Sequence, residues 1–419
     1  MLKTCGVRTG RGSFTPKGIR SVINRLFFNA HNKSIPNLPK KFEDRFPDGY
    51  QNTLPNWGFF SEKELKENPG KLLLLDIDLD RYCSLHCPDC FRRDSEVDDT
   101  EDKRDLSFGE LIRVIEDGKK LGLKYVKICG VGEPTESKKF LPFVEIMTNM
   151  GIGTAVFTKG QGLGNDDIAR RFHGRYGIKN ARALAERLYQ LEVSFMLGFH
   201  SFDPTIQDYV VRTPGYTAIR NAALENLVAA GFTNSNPTRL AFSNAPVRKV
   251  TYTDAFPIYV WGRERNIYPV TAVLMTSGKQ LDSTFLNEND LTDKQKVELW
   301  TDIYSWDIEH GLQTLKQIEE EGVSCLPGGH PCNQLRAGLY VTMKGNVVGC
   351  PGYTEIQGNI RKQGLLEIWE QSSTRRIAGN RFNTGCPPKE GITIPTTLYA
   401  EVLSNLQKKY GVRGPNFAN

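Results

Sequence analysis

At 419 residues, 39% hydrophobic and 24% charged, the chain is long enough for two or three domains and is composed like a globular protein in water. Its longest aliphatic runs are about four residues, which excludes a membrane-spanning helix. No apolar h-region follows the N-terminus, and nine cysteines are too few for a disulfide scaffold, so a reducing, cytoplasmic setting is expected.

The net charge of +6 is uneven: residues 1–50 hold ten Lys or Arg against three acids, leaving the rest nearly neutral. A basic arm of this kind could meet nucleic acid, an acidic peptide or a phosphorylated substrate. Its acid-free, Arg- and Ser-containing start also fits an organellar transit peptide. A merely solvated arm needs no partner, and no aromatic-interleaved basic motif favours nucleic acid. Residues 1–70 are rich in Gly, Pro and Asn, with one helix-like stretch at 17–29 and no winged-helix pattern.

From residue 71 the pattern turns to strand–helix alternation. Strands are expected at 72–79, 125–129, 154–158, 192–199, 239–243 and 269–275. Helices are expected at 107–122, 140–150, 181–191, 216–230 and 253–265. Period-two alternation puts Asp76, Asp78 and Asp80 on one face of the first strand. Such a face suits a cationic or polyhydroxyl substrate; alternatively the acids cap the strand end or pair with Arg81, Arg92 and Arg93.

The first strand runs into Asp80-Arg-Tyr-Cys83-Ser-Leu-His-Cys87-Pro-Asp-Cys90-Phe91, a C-x3-C-x2-C triplet. Three thiolates at this spacing can hold three corners of a cubane iron–sulfur cluster and leave one iron without a protein ligand. Zinc is the alternative, with His86 as a fourth ligand. The second strand ends in Cys129-Gly130-Val131-Gly132-Glu133-Pro134, where glycines allow close backbone approach and a carboxylate can accept from an ammonium. The third ends in Thr158-Lys159-Gly160. The fourth leads through Ser194, His200 and Asp203 to Arg212-Thr-Pro-Gly215-Tyr216.

In order and spacing, these stretches resemble the radical S-adenosylmethionine (radical SAM) enzymes over residues 71–386. The resemblance implies an α/β fold: a partial (β/α)6 barrel at 71–285 with a basic N-terminal arm at 1–70. It implies a [4Fe–4S] cluster on Cys83, Cys87 and Cys90, with SAM chelated by the open iron. Gly132, Glu133 and Pro134 would meet the SAM amino group, Thr158 the ribose, and Ser194 and Arg212 the ribose and carboxylate. Val131, Lys159 and Asp89 depart from the family pattern, and Phe91 stands in for the usual aromatic before the third cysteine.

After a helical linker (286–322), region 323–390 holds Cys325, Cys332, Cys350 and Cys386, ahead of a C-terminal helix (391–419). A hairpin turning at Lys344-Gly345-Asn346 delivers Cys350. This run resembles the SPASM/twitch extension, a β-hairpin and helix unit that implies an auxiliary [4Fe–4S] cluster. The usual closing C-x2-C pair is broken, because Cys386 is followed by Pro-Pro-Lys. Either Cys325 supplies the fourth thiolate or an iron stays open; zinc is again the alternative.

Three readings follow. The first is oxidative modification of a peptide or protein side chain; the second is dehydrogenation or epimerisation of an aminosugar or another small polar metabolite. The third is a non-catalytic metal protein that binds nucleic acid. Cys129 is the candidate hydrogen-donating thiol, and Lys159, His200 and Asp78 are candidates for proton removal. A low-potential donor such as ferredoxin or flavodoxin is the expected partner; no membrane partner is expected, and nucleic acid is the least favoured.

Overall fold

The computed structural model describes residues 37–42, 46, 56–92, 104–329, 332, 334–372 and 385–411; the 17–29 stretch, Arg93 and most of the basic arm lie outside them. Six strands follow one another in the order expected: β1 Leu74–Ile77, β2 Tyr125–Ile128, β3 Gly153–Thr158, β4 Ser194–Gly198, β5 Leu240–Asn244 and β6 Tyr268–Thr271. Each pairs in parallel with the next, as right-handed crossovers through helices dictate.

The connecting helices form where the periodicity places them. Phe108–Leu121 starts at a capping box of Ser107 and Glu110, stops at left-handed Gly122, and buries Leu111, Val114, Ile115 and Gly118 against the sheet. Tyr216–Ala230 ends likewise at Gly231. The strands are shorter than the apolar runs suggest, because the ends of those runs already turn into the loops that carry function.

The C-terminal region is joined to the barrel more intimately than an extension. β7 (Gly338–Val341) pairs in parallel with β1, with Asp76 opposite Tyr340. β8 (Asn346–Val348) and β9 (Ile356–Asn359) then add antiparallel, giving one sheet ordered β6-β5-β4-β3-β2-β1-β7-β8-β9.

Two apolar clusters frame this sheet. Trp57 and Phe59, from within the stretch assigned to the arm, pack with Ala155, Met196, Ala241 and Tyr268. Burying such side chains stabilises by about 1.5–3 kcal/mol each. In the second cluster, helix Asp293–Glu309 places Trp300, Ile303 and Tyr304 against Leu398, Val402 and Leu406 of helix Leu398–Tyr410.

Candidate functional site

In a parallel sheet the loops after each strand meet at the carboxyl edge, where ligands usually bind. Here the loops after β1, β2, β3 and β4 come together, and one carboxylate ties three segments into place. Asp78 Oδ2 accepts from Arg92 Nη2 (3.0 Å) and Met343 N (2.8 Å). Its Oδ1 accepts from Val131 N (2.8 Å) and the Tyr340 hydroxyl (2.5 Å). The cysteine loop, the glycine loop and the strand-β7 region are thus fastened to one group, and its ion pair with Arg92 is wholly buried. With four donors engaged, Asp78 has no lone pair left for a substrate proton; it acts as a structural clamp.

The cysteine loop folds over the short helix Pro204–Val211 and the start of helix Tyr216–Ala230. Cys83 and Cys87 pack against Leu85, Val210, Val211 and Tyr216. All three thiols are half-buried and His86 is exposed. Burial first, then Glu133 and Cys87, pushes the Cys83 thiol up; burial also raises Cys87, to about 11, while Lys159 opposes that rise. Acidic neighbours and burial disfavour free thiolates here, so occupancy by a cationic iron centre would relieve the loop. An open cleft of about 360 Å³, lined by Cys87, Pro88, Arg212, Lys279, Asp282 and Phe285, reaches this loop.

The glycine loop is built for contact. Gly132 sits at φ +86°, and a Cβ there would collide with the Asp80 carbonyl. Glu133 N donates to Tyr82 O (2.8 Å), locking the two loops together. The Glu133 side chain is buried and spent internally. Oε1 accepts from Thr135 N (3.1 Å), Thr135 Oγ1 (2.6 Å) and Thr158 Oγ1, and Oε2 accepts from Lys159 N (2.7 Å). Burial raises its pKa against those bonds. Thr158 in turn accepts from Gly160 N (2.8 Å). The Glu133 and Thr158 side chains therefore brace the loop, leaving its main chain, with Pro134 opening a buried 3-10 turn, to meet a ligand.

Lys159 and His200 come together: Lys159 Nζ lies 2.7 Å from His200 Nε2. Burial, then the charges of Lys159, Arg248 and Arg220, hold the His200 pKa well below its usual value, so the neutral ring accepts and the ammonium donates. Arg212, left-handed at the end of helix Pro204–Val211, lines the cleft beside Cys87. Ser194 does not join them. It is the first residue of β4, at the opposite edge of the sheet beside Tyr125, because its strand runs from Ser194 toward the mouth.

A second set of thiols gathers on the β7–β9 side. Cys325 donates to Cys386, which holds the Cys386 pKa down and raises that of Cys325; Lys389 adds to the first effect. Cys332 and Cys350 are pushed up by burial and by Cys386. These interactions link Cys325 to Cys386 and Cys332, and Cys350 to Cys332 and Cys386, and Lys389 stands three residues after Cys386 where the broken pair lacks its cysteine. Among the described residues no three His, Cys, Asp or Glu side chains lie at single-ion spacing. A four-thiol set suits an iron–sulfur cube, whose thiolates bind separate irons.

Between the two thiol sets lies a buried polar patch that sequence reasoning valued too little. Asp76, paired in register with Lys127, accepts a hydrogen bond from Cys129, and its Oδ1 has no partner. Burial lifts its pKa to about 6, while Lys127 and Cys129 pull the other way. Lys127 Nζ sits 4.8 Å from the Phe59 ring centroid. A lysine inside the apolar strand Tyr-Val-Lys-Ile was the available signal. Arg92 was among the arginines expected to pair with the acids of the first strand, and it pairs with Asp78; Tyr340 had no signal beyond its residue type.

The geometry agrees with what is known of other proteins. The sequence pattern of the SPASM family, an iron–sulfur cluster-binding domain, matches residues 332–388. No curated protein matches the chain in sequence. Among solved structures, Streptococcus suis SuiB bound to precursor peptide SuiA shares 14% identity at a TM-score of 0.51, over 90% of this chain and 74% of that one. anSMEcpe with bound AdoMet also shares 14% identity at a TM-score of 0.51, over 80% of this chain and 96% of that one. The chain has the radical SAM fold. Within that fold, residues 332–388 are the part that carries the SPASM pattern.

Proposed function

We propose that the chain is a radical SAM enzyme that oxidatively modifies a peptide or protein side chain. The observation that carries this is the pairing, on one sheet, of a three-thiol loop at an open cleft with a four-thiol set in the SPASM region. When bound, a cluster on Cys83, Cys87 and Cys90 with SAM supplies a 5′-deoxyadenosyl radical. The glycine-loop main chain and Arg212, which lines the cleft beside Cys87, would hold SAM. Cys325, Cys332, Cys350 and Cys386 hold the auxiliary cluster, which offers an electron acceptor. The peptide class is supported by one neighbour in fold, SuiB, seen with its precursor peptide.

A second reading rests on the Asp76–Lys127 patch. A buried carboxylate oxygen without a partner, facing the interior beside a lysine, suits a small polar substrate such as an aminosugar. Anaerobic reconstitution tests the shared core: about eight irons per chain, falling to about four in Cys83/Cys87/Cys90→Ala. About four irons in the parent, falling to none, would remove the auxiliary cluster. Zinc without iron would sink both readings. Screening peptides against aminosugars for SAM-dependent oxidation then separates the two.

A further inference from the structure

We propose that the exposed face around Tyr82 docks an acidic flavodoxin-type electron carrier that reduces the cluster on Cys83, Cys87 and Cys90; this rests on that cluster reading. Tyr82 directly precedes Cys83 in the chain, yet 44% of it is exposed. It is held in place at both ends. Its carbonyl accepts from Glu133 N (2.8 Å), and its ring centroid lies 5.6 Å from that of Phe172.

A run of contacts carries the face outward from Tyr82. Phe172 belongs to helix Asp166–His173, which is fixed to the glycine loop through His173 Nε2, 2.9 Å from the Thr135 carbonyl oxygen. The Arg171 guanidinium lies 5.3 Å from the Phe172 ring centroid. In the turn that follows, Gly174–Tyr176, the Arg175 guanidinium lies 4.5 Å from the Tyr176 ring centroid and its Nη2 donates to Lys138 O (2.9 Å). Lys138, Arg171, Arg175 and Tyr176 are all exposed.

The charge of this face is not cancelled. Among the described residues no carboxylate pairs with Arg171, Arg175 or Lys138, whereas neighbouring Arg170 and Arg81 are taken up by Asp167 and Asp105. A cationic rim steers an acidic surface into encounter, which suits a carrier that must leave after each electron. The aromatic centre selects a flavin: an FMN ring presents a flat apolar edge that Tyr82 can meet, where a ferredoxin presents a cluster wrapped in backbone. The cleft meets the loop elsewhere, at Cys87 and Pro88, and neither Tyr82 nor the basic rim lines it. One electron passes from the anionic flavin hydroquinone to the oxidised cluster and leaves the neutral semiquinone; no bond is made or broken.

The test uses the full, anaerobically reconstituted chain and an acidic bacterial flavodoxin reduced photochemically to its hydroquinone. Binding is read by fluorescence titration, and reduction by SAM cleavage to 5′-deoxyadenosine, with dithionite as the reductant that needs no docking. Arg171→Glu/Arg175→Glu is expected to weaken binding and slow flavodoxin-driven cleavage about tenfold at low salt, with the dithionite-driven rate unchanged. High salt should erase most of that difference. Lys63→Glu, a charge reversal on the exposed helix Glu62–Glu67, should change neither reading. Parent-like binding and rate in the double variant overturn the docking face, and so does an equal loss with both reductants, the mark of a structural role. A parent chain that dithionite or an acidic ferredoxin activates and flavodoxin does not overturns the choice of carrier. No cleavage by dithionite in the parent chain would instead remove the cluster reading itself.

Discussion

The two thiol sites differ in how the chain builds them. Cys83, Cys87 and Cys90 sit half-buried on one loop beside a cleft, whereas buried Cys325 and half-buried Cys332, Cys350 and Cys386 are spread over residues 325–386 and interact across them. In the proposed reading, three thiols at the cleft would leave a cluster corner for a ligand, and four would leave none. Local sequence builds the first and long-range folding the second. The proposed function accordingly assigns chemistry on a small molecule to the first and passage of an electron to the second.

The comparison breaks most sharply at the thiols. Cys83/Cys87/Cys90→Ala should reduce SAM cleavage to 5′-deoxyadenosine to background, measured by chromatography after dithionite reduction. Residual cleavage at the parent rate would move the radical site elsewhere. Cys325→Ser should leave SAM cleavage intact while stopping substrate oxidation; equal loss of both would mean that the two sites are not separable.

Asp78→Ala comes next, because it removes the buried ion pair with Arg92 and detaches the β7 region from both loops. Removing one partner of a buried pair costs about 3–5 kcal/mol, readable by urea unfolding. A cost under about 1 kcal/mol would deny Asp78 its clamping role. Trp57→Ala should cost about 3–5 kcal/mol through the cavity it leaves, without changing either iron count.

The smallest effect is a pH slope. Asp76 has its folded pKa raised from 3.8 to about 6, so the native state holds a proton that the unfolded chain releases. Stability from this group therefore falls as pH rises from about 4 to about 6, by up to about 3 kcal/mol, and stays low above that. Asp76→Asn should flatten the slope in pH-resolved urea unfolding. An unaltered slope would assign it to another group.

Much of this was legible. The cysteine triplet, the Gly132-Glu133-Pro134 turn and the hairpin at Gly345 are local patterns, and the alternation of strands and helices needs only short-range periodicity. What escaped was set by distance along the chain. Tyr340 meets Asp78 from 262 residues away. Lys159 meets His200 across two strands, and Trp57 fills space between side chains that no periodicity links to it. Ser194 and Glu133 failed differently: their types fitted ligand contact, but one lies at the far end of its strand and the other is consumed by its own loop.

The parallel pairing of β1 with β7 has a consequence for synthesis. Until residues 338–341 leave the ribosome, the strand that feeds the cysteine loop keeps one edge bare, and the fourfold bonding of Asp78 is incomplete. A bare apolar edge invites pairing with other chains, and so distant a partner slows closure. A chain cut before β7 would thus yield not a working barrel lacking an accessory but a sticky fragment. The cysteine loop and the four-thiol region are in this sense born together, in the last act of one folding event.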